Sequence, residues 1–140
     1  SFYHYFADLE IFIECLLDHH LEQSRKIAFK ENVADSIDPE LIQILVEHKV
    51  DLLFNRQLRI HQSNSKYLST LIKSNEIVGN EFVHLWAREL NLKLDFKQLE
   101  GLFELALENF YLQISFENLR YDWLSSYFKN LKRIALNFSV

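Results

Sequence analysis

Apolar residues recur at spacings of three and four along nearly the whole chain, the pattern of helices that each bury one face. Phe6, Leu9, Ile13, Leu16 and His20 form a first stripe, on a helix predicted to run to about Phe29. Residues 32–37 break the pattern. Asp38-Pro39-Glu40 then reads as a helix start, with a capping carboxylate, proline at the first helical position and an acid in the first turn. The second helix carries Leu41, Ile44, Leu45, His48, Leu52 and Phe54. The polar run Gln62-Ser63-Asn64-Ser65 is either a loop or the exposed start of the next helix. Tyr67, Leu68, Leu71 and Ile72 make a short amphipathic segment ending near Lys73-Ser74-Asn75, and Gly79-Asn80 opens a fourth helix through Phe82, Val83, Trp86 and Leu90. Asp95 is the expected cap of a fifth, with Phe96, Leu99, Phe103, Ala106 and Phe110 on one face. Ser115 is the expected cap of the sixth, with Glu117 in its first turn.

That last helix, about 115–138, carries Tyr121, Leu124, Phe128, Leu131, Ala135 and Phe138 at strict heptad spacing, with Trp123, Tyr127 and Ile134 as a second apolar edge. Two edges allow a helix to pack on its own domain and on a second body. The six heptad residues are therefore the expected interface, either with a second copy or with a downstream output domain.

Composition narrows the fold. Two glycines and one proline in 140 residues cannot supply the reversals of a turn-rich β fold, and 49% hydrophobic content excludes disorder. The expectation is all-α: one domain, residues 1–140, a bundle or globin-like packing of five to seven helices. A net charge of −5 offers no basic face for phosphates, so nucleic acid is not an expected partner. No uncharged run approaches the ~20 residues that cross a bilayer, so no membrane partner is expected either. A lone cysteine, Cys15, points to a reducing compartment such as the cytoplasm. The chain starts at Ser1, has no methionine and ends within a helical pattern, which reads as a piece of a longer polypeptide.

Candidate chemistry is sparse. Glu81-Phe82-Val83-His84 is one Glu-x-x-His pair, where di-iron bundles need two plus further carboxylates. Glu14, Asp18 and Glu22 line one face beside His19 and His20, read as a solvated acidic stripe with His20 at the core edge. Cys15 lies in an apolar run where a thiol is expected to be buried. The two glycines cannot build a phosphate loop. No catalytic residue and no metal site are assigned. Twelve Phe, six Tyr and two Trp could line a pocket for a planar ligand, and haem needs one axial imidazole in such a crevice. His48, His61, His84 and Trp86 are the candidate ligand contacts.

Two short stretches resemble known families. Arg56 and His61, as Arg-x4-His, are similar to the motif of helical HEPN nucleases, which implies RNA cleavage near a dimer interface. His48-Lys-Val-Asp-Leu-Leu-Phe54 followed by Arg59-Ile-His-Gln62 resembles globin-coupled sensor domains. In that pattern the haem histidine would fall near Asn64 or Ser65, where this chain has none, so no cofactor is assigned. The resemblance implies a helical sensory input domain of a bacterial signalling protein, ahead of a cyclic-di-GMP or kinase output and transmitting through its C-terminal helix. The expected function is accordingly a non-enzymatic sensory or regulatory module. A protein-binding adaptor of the immunity type, meeting a basic partner with its acidic surface, is the first alternative. A HEPN-like ribonuclease is the second.

Overall fold

The computed structural model describes residues 2–91 and 93–138, with side chains described for 7–91 and 93–137. Six helices and no strand are present among these residues: α1 (Phe2–Val33), α2 (Ile42–Glu47), α3 (Lys49–Ile60), α4 (Ser65–Leu90), α5 (Phe96–Gln113) and α6 (Tyr121–Phe138). The all-α expectation therefore holds, with a helix count inside the range that the periodicity indicates. None of the described helices is long and apolar enough to cross a membrane.

α1 and α4 run in the same direction. Their polar contacts climb in step, from Glu14 on Lys66, through Ser24 on Ser74 and Asn32 on Glu81, to the Ala34 carbonyl on Arg88. α3 lies antiparallel to α1, with His20 against Asn55 at one end and Lys30 against His48 at the other. α4 turns back into α5 across Phe82–Phe103 and His84–Phe96. α6 closes the core: Leu124 and Ala135 have no exposed surface, Phe128 meets Phe82, and Tyr127 meets Phe110 edge-on.

The boundaries depart from the periodicity where polar residues serve tertiary contacts. α1 continues to Val33, beyond the expected end near Phe29. Its buried stripe is Leu17, His20, Ser24, Ile27, Glu31 and Ala34, while Leu9 and Leu16 are exposed. His20 is thus a core residue, and Cys15 is exposed, contrary to its apolar sequence context. α4 is one continuous helix where two were expected. Ser74 does not end a segment because its hydroxyl is buried against Ser24. Gly79 does not begin one: it lies in mid-helix, where a Cβ would stand 2.8 Å from Phe103 Cε1. The missing side chain makes room for that ring.

Asp38 is not a helix cap. The Asp38–Pro39 bond is cis, Asp38 is extended, and Ser36 accepts from the Glu40 amide instead. The Asp38 carboxylate accepts hydrogen bonds from Tyr121 and Ser125 of α6. Ser115 caps only a short turn, exchanging bonds with Asn118, and α6 begins at Tyr121. Asp95 does cap α5, in a reciprocal box with Gln98.

Candidate functional site

The residues that carry chemistry inside the fold come from α1. His20 and Glu31 lie eleven residues apart on its buried stripe, so they are separated by roughly 16 Å along the helix axis. Each faces a small cavity. The cavity at His20 measures about 40 Å³, and the one at Glu31 about 60 Å³. They share Leu45, Leu52, Val78, Phe103, Leu107 and Tyr111 as walls, and form one internal crevice bounded by α1, α2, α3, α4 and α5. At the Glu31 end the remaining wall is α6, through Tyr127, Phe128 and Leu131.

The His20 end is a determined polar network. Arg59 donates from Nε to Asn55 Oδ1 at 3.3 Å, which turns the Asn55 amide nitrogen toward His20 Nε2 at 3.0 Å. Nε2 therefore accepts, and the proton of the neutral ring sits on Nδ1. That nitrogen is buried without a partner. Ser24 donates to the His20 carbonyl at 2.8 Å, so the 2.7 Å contact with Ser74 is filled by the Ser74 proton. Both hydroxyl protons are thereby directed away from His20, and no carboxylate orients Nδ1. The roles of a Ser-His nucleophile are unfilled here. Burial lowers the His20 pKa from 6.5 to about 4, against the opposing pull of Asp51.

The network reaches the surface through Arg59, whose other nitrogens bond Asn75 at 3.1 Å and Glu108, and whose guanidinium stacks 4.4 Å from the Tyr111 ring. One side chain thus ties α3 to α4 and α5.

The Glu31 end is apolar. Glu31 is 1% exposed, and its Oε1 has no hydrogen-bond partner. Burial, with the Glu81 carboxylate adding to it, holds the Glu31 carboxyl well above the ordinary glutamate range. Lys30, the adjacent cation, is turned to Glu47 at 2.9 Å and to His48 at 2.9 Å.

The candidate contacts from the sequence do not converge. His48 is buried, with both ring nitrogens engaged: Lys30 donates to Nε2, so Nδ1 donates to Asp51 at 2.8 Å. It is the bend between α2 and α3. His61 is exposed at the end of α3. His84 is exposed beside Phe96, and Trp86 is fully buried in the core. Arg56 of the Arg-x4-His pair donates to the Ile114 carbonyl at 2.7 Å, finishing α5. Glu81 accepts from Asn32, and Glu14 and Glu22 pair with Lys66 and Arg25. No group of three metal-ligating side chains occurs among the described residues.

Of the expected interface residues, Leu124 and Ala135 lie wholly inside the molecule's own core, and Phe128 and Leu131 pack against it. This corrects the reading of the heptad seam as an open face: α2, α4 and α5 supply the apolar cover that a partner was expected to give. Tyr121 is half-exposed and holds Asp38, and the side chain of Phe138 lies outside the described residues. What stays open is the neighbouring edge. Leu105 and Leu112 of α5 flank Asn109, which bonds Tyr127, and Ile134 lies one heptad beyond Tyr127. These three apolar residues are all more than half exposed.

Glu31, Ser24 and Asn55 were not marked by the sequence, and Arg59 and Ser74 entered only in the sensor-like stretch and as a segment end. The one available signal was a glutamate in phase with His20 and Ile27 on the α1 stripe.

No family model, curated protein or solved structure matches this chain.

Proposed function

We propose that this chain is a sensory or regulatory helical domain of a larger signalling protein. A small molecule entering the crevice would move α6, and the Leu105–Leu112–Ile134 edge would carry the change to a second copy or an output domain. The observation behind this reading is that α6 forms one wall of a cavity that also holds a buried carboxyl without a partner. A ligand that presses on Tyr127 and Phe128 presses directly on the helix that carries Ile134 and that bonds Asn109 of α5 between Leu105 and Leu112. That contact gives the ligand different interaction energies in two seatings of α6, the requirement for any population shift.

Xenon is a probe matched to a cavity of about 60 Å³. Amide spectra under xenon pressure should show the largest shifts at residues 123–131 and at Glu31. Shifts that spare α6 would remove the relay. Ile134→Asp should abolish self-association if the edge meets a second copy, and leave sedimentation unchanged if it does not.

One observation favours a protein-binding adaptor as the second reading. A groove of about 860 Å³ between α4 and α5 is rimmed by Glu76, Glu100, Glu104 and Glu108 over apolar Ile72, Phe96 and Leu105. A basic partner held there would be released by moderate salt.

A further inference from the structure

Among the described residues the Glu31 carboxyl has no ion-pair partner. The groups facing it from the surrounding elements are Glu81 on α4, a second carboxylate, and the uncharged phenols of Tyr111 on α5 and Tyr127 on α6. α2 and α3 contribute Leu45 and Leu52. On α1 itself, Lys30 is turned away into its pair with Glu47 and His48. An isolated buried carboxyl lowers the stability of a fold, since an apolar residue of that size would pack at no such cost. The unpartnered Oε1 is open to a donor that enters the cavity.

The chemistry of the walls limits what that can be. Phe82, Phe103, Phe110, Tyr111, Tyr127 and Phe128 surround the cavity, and aromatic faces carry negative potential. An anion would meet the Glu31 carboxyl, with the Glu81 charge behind it, and those rings. A metal ion would find one carboxylate and no second ligand. A compact organic cation meets complementary groups throughout: a carboxylate for its N–H donors and ring faces for its charge. The volume of about 60 Å³ limits its body to a few carbons.

Resting on the reading of the crevice as a ligand site, we propose that it binds a small alkylammonium ion, the nitrogen on the Glu31 carboxylate and the alkyl body against the aromatic walls. In the empty chain burial favours the protonated form of Glu31. The cation favours the ionised carboxylate, so one proton leaves to solvent as the ammonium binds. While the free chain keeps Glu31 protonated, affinity should therefore rise about ten-fold per pH unit for an amine that stays charged.

Isopropylammonium and isopropanol have the same heavy-atom count and shape and differ in charge, so titrating the chain with each by calorimetry separates the two claims. The expected result is saturable binding of isopropylammonium with proton release, at least ten-fold stronger than isopropanol, and at least ten-fold weaker in Glu31→Gln. Amine binding that persists in Glu31→Gln places the cation elsewhere on the acidic surface and overturns the assignment. Equal binding of both probes also overturns it, while leaving the crevice as a ligand site. Binding of neither, together with exclusion of xenon, overturns the assignment and the sensory reading at once. Binding of neither while xenon enters overturns the assignment alone. A folded Glu31→Gln chain is confirmed by its circular dichroism and by unfolding in urea.

Discussion

Glu31 and His20 share one stripe of α1 and titrate in opposite senses, which makes their removal a sharp test of how dry the crevice is. The folded chain keeps a proton on Glu31 that the unfolded chain releases above the ordinary 4.5. Each pH unit above 4.5, up to the raised folded value, therefore lowers stability by about 1.4 kcal/mol. The folded chain also refuses a proton on His20 that the unfolded chain takes up below 6.5, and this continues down to about 4. Each unit of falling pH in that window lowers stability by the same amount. Above 4.5 the two slopes oppose each other in the wild type. Glu31→Gln leaves the histidine slope alone, so its stability relative to wild type should climb as the pH rises above 4.5. His20→Gln should show the mirror image, gaining on wild type by roughly 3 kcal/mol as the pH falls from 6.5 to about 4. The glutamine carbonyl can still accept from Asn55, so any lost hydrogen bond adds a constant offset of about 1 kcal/mol and no slope. The double variant should lack both slopes. Urea unfolding at half-unit steps, read as differences from wild type, removes the contributions of all other carboxylates. If Glu31→Gln tracks wild type at every pH, the Glu31 carboxyl ionises as it would in water, and the crevice is open to solvent.

The two glycines should respond in opposite directions. Gly101→Ala puts a methyl into open space on α5 and should raise stability by about 1 kcal/mol, whereas Gly79→Ala drives into Phe103 and should lower it by about 1–3 kcal/mol in the same urea assay. Tyr121→Phe and Ser125→Ala each remove one exposed hydrogen bond to Asp38. Each should change global stability little, but amide exchange should speed up selectively in the first turn of α6.

What could be read in the sequence was what is local. The Asp95–Gln98 box lies within one helical turn, and the α5 stripe Leu99, Phe103, Ala106 and Phe110 follows from period alone and is buried throughout. The heptad of α6 was visible as a pattern, but a pattern does not say which body covers it, and the cover turned out to be the domain itself. Ser74 and Gly79 looked like punctuation because the same residue types end helices and make room for tertiary contacts. Their roles depend on Ser24, 50 residues away, and on Phe103 of another helix. The polar network of the crevice has the same origin: Asn55 reaches His20 across 35 residues, a pairing that no window of helical periodicity contains. Glu31 sat in phase on the stripe. Its lack of a counter-charge could be known only once α4, α5 and α6 were in place around it.

The clasp of Asp38 on Tyr121 and Ser125 fixes one end of α6 and leaves its far end to the packing of Ala135. With the near end held, a push from the cavity side falls on the turns of α6 beyond it, which Leu131 and Ala135 pack against the core. Phe128, at the cavity wall, lies roughly 10 Å along the axis from Tyr121, and the end of the helix lies roughly 25 Å along it. A cavity with room for only a few atoms thus touches α6 between its clasped end and its buried far turns.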